Sequence, residues 1–389
     1  MKKILFIHHA TGWGGAPKSL IQTILALDKK KFQIEVFLFA KSVVSEKLKD
    51  NDIPFRIASS KFYEKHYRYF THSEAEYTKW YNFPKLIKSS VLWLLSKYYF
   101  APKELKQLNC DIIHLNSSVL TDWLKPASNV GKVIMHVREP FRKGKLDLLH
   151  YFFRNEIKKY SDKIIAISKD NAKRVNLNFK TEVVYNFSDL PKTKPKLDSY
   201  NSKKFLYVGG SSKIKGFITL VNSLDLLNTN IKIYFAGHYA TNEQNSLKTK
   251  FKKIIGYNKD FDNALMKFRL HPNAIELGMI DNIEDYLSEV CCLISPFTKP
   301  HFSRPIMESH LHFKPVIGSD IKGMEEIINH NVNGYIFEKN NYVELARTIN
   351  YCASDSLNLI RLGNNGFKVA EEKFTNKNVQ DIQNIYIEI

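Results

Sequence analysis

The chain has 389 residues, 44% of them hydrophobic, which is enough for two domains with real cores and excludes a disordered or collagen-like polymer. Its 58 lysines and arginines against 39 acidic residues give a net charge of +19, which points to an anionic partner: a membrane surface, a phosphorylated small molecule or nucleic acid. No apolar stretch reaches the ~20 residues that span a bilayer, and the absence of helix-turn-helix, zinc-finger and RNP-type signatures sets nucleic acid aside.

The opening "MKKILFIHH" starts like a signal peptide, but its apolar run stops at His8-His9 and no small-residue cleavage site follows. It is expected to be the first strand of a cytoplasmic protein. "HHATGWGGAPKSL" then puts Gly12, Gly14 and Gly15 between this strand and a helix. Glycines there let backbone N–H groups approach a ligand, and a helix N-terminus favours an anion. Pro17 suits a first helical turn. Leu20, Ile21, Ile24, Leu25 and Leu27 follow at helical spacing as one apolar face.

Strand-like runs continue with "IEVFLFA", "PFRIA", "DIIHLN", "KVIMHV", "KIIAIS" and "TEVVYN". Strands alternating with helices predict a parallel sheet. Residues 61–106 break the pattern by interleaving aromatics with Lys and Arg. They read either as a core helix or as a segment lying on anionic lipid, with Trp93 and nearby tyrosines at headgroup level. Residues 188–204 carry two prolines and no apolar cluster, the composition of a linker. The alternation restarts with "KFLYVGG", "IKIYFAG", "AIELG", "CCLISPF", "KPVIGSD" and "GYIF". The expected architecture is therefore α/β: two Rossmann-like doubly wound domains, residues 1–190 and 200–370, facing each other across a cleft. A C-terminal helix at about 370–389 is free to pack back on the first domain. Ligands of such sheets bind beyond the carboxyl ends of strands.

Polar residues in the second half are weighed against structural roles. The four cysteines lack a C-x-x-C spacing and read as buried apolar residues. Asp260 and Asp262 form a D-x-D with no strand before it, so no metal site is expected there. His310 and His312 are two apart on a helix and point in different directions. Glu325 and Glu326 suit the first turn of a helix. "VGGSSKIKGF" is a second strand–loop–helix junction, with Lys213 and Lys215 suited to a diphosphate. "SPFTKPHFSRPIMESHLHFKPVIGSD" (295–320) puts a proline-rich loop and Glu308 between two apolar strands.

Taken in order, "VGGSSKIKG", "IYFAG", "IELGMI", "SPFTKPHFSRPIMES", "FKPVIGSDIKGMEEII" and "NGYIF" resemble the donor domain of the retaining GT-B glycosyltransferases, glycosyl transferases group 1 (family four). In the first half, "HVREP" is similar to the strand-end histidine of that family. The sequence departs from the family twice. Gly210 stands at the place of the diphosphate-binding arginine, and Pro300 at that of the first glutamate of the E-x7-E pair.

The resemblance implies a retaining, metal-independent transfer of a sugar from a nucleotide-diphosphate donor to a saccharide acceptor, lipid-linked, in capsule or O-antigen type synthesis. It implies chemistry carried by His136, Lys215 and Glu308. Donor contacts are expected from Gly14 and Gly15, from Gly209, Gly210, Lys213 and Lys215, and from Met279. The 295–320 run adds His301, Phe302, Ser303, Arg304, Ile306 and Glu308, the last on the nucleotide ribose. No cofactor or metal is expected. The net charge and the 61–106 run predict a peripheral enzyme on the inner face of the cytoplasmic membrane. Two rivals share the scaffold: a catalytically weak nucleotide- or glycan-binding partner, favoured by Gly210 and Pro300, and a nucleotide-sugar epimerase.

Overall fold

The computed structural model describes residues 1–66, 83–106, 108–142, 147–191, 196–239 and 259–389. The chain divides into two compact units, residues 1–187 with 376–389, and residues 188–375.

Unit 1 is built on seven parallel strands in the order β3-β2-β1-β4-β5-β6-β7. These are β1 (Lys2–His8), β2 (Phe32–Leu38), β3 (Phe55–Ile57), β4 (Ile112–Leu115), β5 (Lys132–Val137), β6 (Lys163–Ala166) and β7 (Thr181–Val183). Every strand-like run of the first half is one of them. Side chains alternate across the sheet, so Leu5, Ile7, Ile113, Leu115, Val133 and Met135 fill one core layer. Ile4, Phe6, Ile112, Ile134 and Ile165 fill the other. Helix Gly15–Ala26 covers the second layer with Leu20, Ile21 and Ile24, and its C-cap Leu27 joins them. Leu25, expected on that face, is exposed. Thr23 takes its place on the buried side, its hydroxyl bonded to the Ser19 carbonyl one turn back at 2.7 Å. Helix Asn378–Glu388 lies on the same layer through Val379, Ile382, Ile385 and Tyr386. Burying each such side chain stabilises the docked helix by about 1.5–3 kcal/mol.

Unit 2 has six parallel strands in the order β10-β9-β8-β11-β12-β13. They are β8 (Lys204–Val208), β9 (Lys232–Ala236), β10 (Ala274–Gly278), β11 (Cys292–Ser295), β12 (Val316–Ser319) and β13 (Gly334–Phe337). The stretch read as a linker includes residues 192–195, outside the described residues. Its later part is not loose: Ser199 and Tyr200 are buried in unit 2. The Tyr200 hydroxyl donates to the Phe313 carbonyl at 2.5 Å, and the Lys314 ammonium lies 4.1 Å from the Tyr200 ring centroid and donates to Ser199 Oγ. Burial lowers the Lys314 amine to about 8.

Of residues 61–106, 67–82 lie outside the described residues. Of the two placements left open for Trp93, the rest supports the core one. Trp93 is buried, its Nε1–H donates to Thr121 Oγ1 at 3.1 Å, and its ring meets Phe152 edge-on. Lys97 is also buried, paired with Glu156 and 4.6 Å from the Trp93 ring. The solvent face of helix Phe83–Leu95 and the turn after it instead shows Phe83, Ile87, Val91, Leu94, Leu95 and Tyr98, each 44% to 64% exposed. Their spacing of three or four residues makes one apolar row. Among the described residues no helix is long and apolar enough to cross a membrane.

Candidate functional site

In unit 2 the connections run outward on both sides of β8 and β11, so the carboxyl ends of these neighbours form the topological switch point. The loop after β8 (209–216) and the loop after β11 (296–303) meet there. Thr298 ties them: its N–H donates to the Ile214 carbonyl at 2.8 Å and its hydroxyl to the Lys213 carbonyl at 3.2 Å. Gly216 has φ +81°, and a Cβ on it would sit 1.8 Å from the Pro296 carbonyl oxygen. A side chain is excluded there.

Gly210 is held as tightly. Its φ is +54°, and a Cβ would lie 2.2 Å from the His238 carbonyl oxygen. The amides of Gly209 and Gly210 both donate to Ala236, and that of Ser211 to His238, each at 3.0 Å. The position aligned with an arginine therefore accepts no side chain with this backbone. The cationic side chains of this loop are Lys213 and Lys215. Lys213 is exposed, its ammonium 5.1 Å from the Phe261 ring. Lys215 is half-buried, and burial lowers its amine from the usual value. His301, stacked on Phe297 at 4.4 Å, is pushed down to about 4 by burial and by the neighbouring Lys215. A neutral imidazole and a partly desolvated ammonium thus share one loop junction.

Helix Arg304–Leu311 starts from Ser303, with Pro305 in its first turn where the missing donor costs nothing. Arg304 Nε donates to Glu308 Oε1 at 2.7 Å, one turn on, and both side chains are buried. Among the described residues the bond from Arg304 is to Oε1, and none is shown to Oε2. Phe302 and Ile306 turn into the core, Phe302 edge-on to Phe374 at 5.9 Å. Only their backbone amides can serve a ligand. Met279 is exposed after β10, on the sheet edge two strands from β8. The Gly237 amide bonds the Gly278 carbonyl at 2.7 Å, linking that loop to the one after β9. Asp260 and Asp262 are exposed in the first turn of helix Lys259–Leu270.

The remaining residues belong to unit 1, whose switch point lies between β1 and β4. Gly14 is the N-cap and Gly15 the first residue of helix Gly15–Ala26. A Cβ on Gly12 or Gly14 would meet nothing within 4 Å, so packing does not demand glycine there. His136 lies inside β5 and is 3% exposed. The residues that leave the strand are Arg138 and Glu139, which sequence reasoning passed over although "HVREP" spells them out. Arg138 donates from Nε to Asn116 Oδ1 and from Nη1 to Asn186 Oδ1, both at 2.8 Å. Glu139 accepts from the Ser117 hydroxyl at 2.9 Å and from the Ser118 amide at 3.2 Å, while burial raises its carboxyl pKa.

Residues 191–369 match the glycosyl transferases group 1 family. The chain is 23% identical over 346 residues to an uncharacterized glycosyltransferase of Methanocaldococcus jannaschii, covering 82% of this chain and 88% of that protein. It is 26% identical over 310 residues to the capsular polysaccharide biosynthesis glycosyltransferase CapH of Staphylococcus aureus, covering 73% and 79%. Its fold is that of Anabaena HepE, solved in complex with UDP-glucose, at a TM-score of 0.76 and 19% identity over 100% of both chains.

Proposed function

We propose that this chain, a GT-B-fold glycosyltransferase whose residues 191–369 form a glycosyl transferases group 1 domain, moves a sugar from a nucleotide diphosphate to a saccharide acceptor with retention. The observation that carries the reading is the junction of the 209–216 and 296–303 loops at the β8/β11 switch point, with Lys215, His301 and Glu308 on it. HepE in complex with UDP and with UDP-glucose supports a nucleotide-sugar donor for unit 2. CapH supports a role in surface polysaccharide synthesis.

The residues divide the work by chemistry. Glu308 Oε2 accepts hydroxyl hydrogen bonds of the ribose. Lys215, partly desolvated and ready to gain from an anion, stabilises the departing diphosphate together with backbone amides of the two loops. This is an electrostatic task and needs no metal. Lys213 and the loop glycines shape the phosphate side, and His301 and the Ser303 amide lie on the sugar side. Unit 1, with the Gly14-Gly15 loop, takes the acceptor, and His136, buried inside β5, does not touch it. A lipid-linked acceptor and attachment to an anionic membrane surface fit the exposed row from Phe83 to Tyr98 and its lysines Lys85 and Lys88.

The test is incubation of the full chain with a panel of nucleotide sugars and saccharide acceptors in excess EDTA, following released nucleoside diphosphate and product anomer. Turnover with the donor's anomeric configuration is expected. Tight nucleotide binding without release would favour the weak-partner reading, which the closed Gly210 position supports. Liposome sedimentation tests the membrane partner: binding should need anionic lipid, fall with salt and weaken in Lys85→Glu/Lys88→Glu. Indifference to lipid charge would remove that partner.

A further inference from the structure

On the face of the unit 1 sheet covered by helices Gly15–Ala26 and Asn378–Glu388, polar residues stand in a row where hydrophobic ones end. The register pairs Ile7 with Leu115 and Leu115 with Met135, so His8, Asn116 and His136 are level across β1, β4 and β5. His114 lies two residues before Asn116 on the same side, and Arg138 two residues after His136. All five are buried.

Two hydrogen-bond chains run through this row, and counting protons orients both. In the first, the Tyr386 hydroxyl is 2.7 Å from His114 Nδ1, and His114 Nε2 is 2.9 Å from His136 Nδ1. His136 Nε2 is buried without a partner. If Tyr386 donates, His114 carries its proton on Nε2 and gives it to His136 Nδ1. The proton of His136 is then on Nε2, and one buried donor remains unmet. In the reverse direction the Tyr386 proton and the His136 Nε2 lone pair are both stranded. Each stranded buried group is penalised by its lost hydration, and the first orientation strands one group where the reverse strands two, so the first orientation wins. In the second chain Arg138 can only donate, so Asn116 presents Oδ1 to it. Asn116 Nδ2 then donates to His8 Nδ1 at 3.0 Å, and His8 also carries its proton on Nε2, again without a partner.

Both chains thus end in an imidazole N–H with nothing to receive it. His136 and Arg138 line a cavity of about 10 Å³, together with Ser19 and Thr23 of helix Gly15–Ala26, Asn186 and Ile382. That is room for a single oxygen atom.

We propose that Tyr386 is a positioning residue which, through His114, locks His136 as an Nε2–H donor, and that His136 and Arg138 together hold one acceptor atom in this cavity. The atom is the oxygen of a water molecule or of an anionic ligand group. The neutral state of the three imidazoles is part of the device, because it leaves Arg138 as the charge on the row and makes the donor direction permanent.

The test is nitrogen-15 histidine NMR of the full chain, with His114→Gln and His136→Gln for assignment. The expected result is that His8, His114 and His136 are all neutral Nε2–H tautomers at pH 7, with their Nδ1 atoms hydrogen-bonded acceptors. Tyr386→Phe, which keeps the ring and removes the donor, should turn His136 from a single tautomer into a mixture. A wild-type His136 protonated on Nδ1, or an Nε2–H signal unchanged by Tyr386→Phe, would overturn the proposal. If the variant does not fold, the wild-type tautomer alone decides. Adding inorganic phosphate separates the two sources of oxygen: a shifted His136 Nε2–H resonance identifies an anionic group, and an unshifted one identifies water. No transfer is measured, so the outcome is independent of the proposed reaction.

Discussion

Replacing Glu308 with alanine perturbs two things at once, and the structure allows them to be separated. The carboxylate accepts from Arg304 Nε at 2.7 Å, and the two side chains are 9% and 6% exposed. Removing one partner of a buried pair leaves the other charge uncompensated, at a cost of about 3–5 kcal/mol. For a unit of this size that lowers Tm by roughly 6–20 °C. Lost nucleotide binding in Glu308→Ala could therefore be lost folding. Glu308→Gln keeps an oxygen for Arg304 and exchanges a charged hydrogen bond for a neutral one, a difference of about 1 kcal/mol. The glutamine variant should stay folded at 25 °C, with Tm lower by a few degrees. Its amide still weakens the ribose contact, which relies on the carboxylate as a charged acceptor. Losing a hydrogen bond to a charged group is worth about 1.5–3 kcal/mol, or about 10- to 150-fold in Kd, as the upper range for the alanine variant. Differential scanning fluorimetry gives Tm and calorimetric titration gives Kd on the same samples. Nucleoside diphosphate bound by folded Glu308→Gln and Glu308→Ala as tightly as by the wild type would refute the ribose assignment.

Lys215→Ala should lower kcat and kcat/KM together, because the ammonium acts most strongly on the charge of the transition state; intact turnover in this variant would move the leaving-group site elsewhere. Gly210→Ala should cost more than the ~1 kcal/mol of a left-handed alanine, since its Cβ would sit 2.2 Å from the His238 carbonyl oxygen; a Tm equal to wild type would contradict that packing. Thermal stability should be flat above about pH 6.5 and fall below it. Burial lowers His8, His114 and His136, and lowers His9 to about 4, so these imidazoles stay neutral in the folded chain while the unfolded chain takes up protons. Each can contribute a slope of up to about 1.4 kcal/mol per pH unit. Arg138 acts in the same direction, Tyr386 stays neutral, and the raised Glu139 carboxyl opposes it. A melting temperature constant from pH 7 to 5 would contradict the neutral cluster.

The strands among the described residues were legible because most are short apolar runs bounded by turn residues, and the central parallel strands, buried on both faces, need nothing else; β3, β7 and β10 at the sheet edges are only partly buried. The loops at 209–216 and 295–303 were legible by spacing. What spacing could not supply is direction. Leu25 and Thr23 exchange faces on one helix because a hydroxyl satisfied by the preceding turn can be buried. Trp93, in a stretch that spacing left open between a core helix and a lipid-facing segment, points inward with Lys97 because Thr121 and Glu156, distant in sequence, receive their polar ends. Gly210 reads as a lost arginine, yet its reason is the backbone of His238, which belongs to another loop. His136 drew notice as a strand-end histidine, while the side chains that actually leave the strand are Arg138 and Glu139.

The central claim is that unit 2 holds the nucleotide diphosphate of a sugar donor. Its most direct test is calorimetric titration of the full chain with UDP, GDP, ADP and CDP in excess EDTA. The account predicts one saturable site, preference for one base, and weaker binding in Lys215→Ala and Glu308→Gln. Absence of binding for all four nucleotides, or binding untouched by both substitutions, would contradict it.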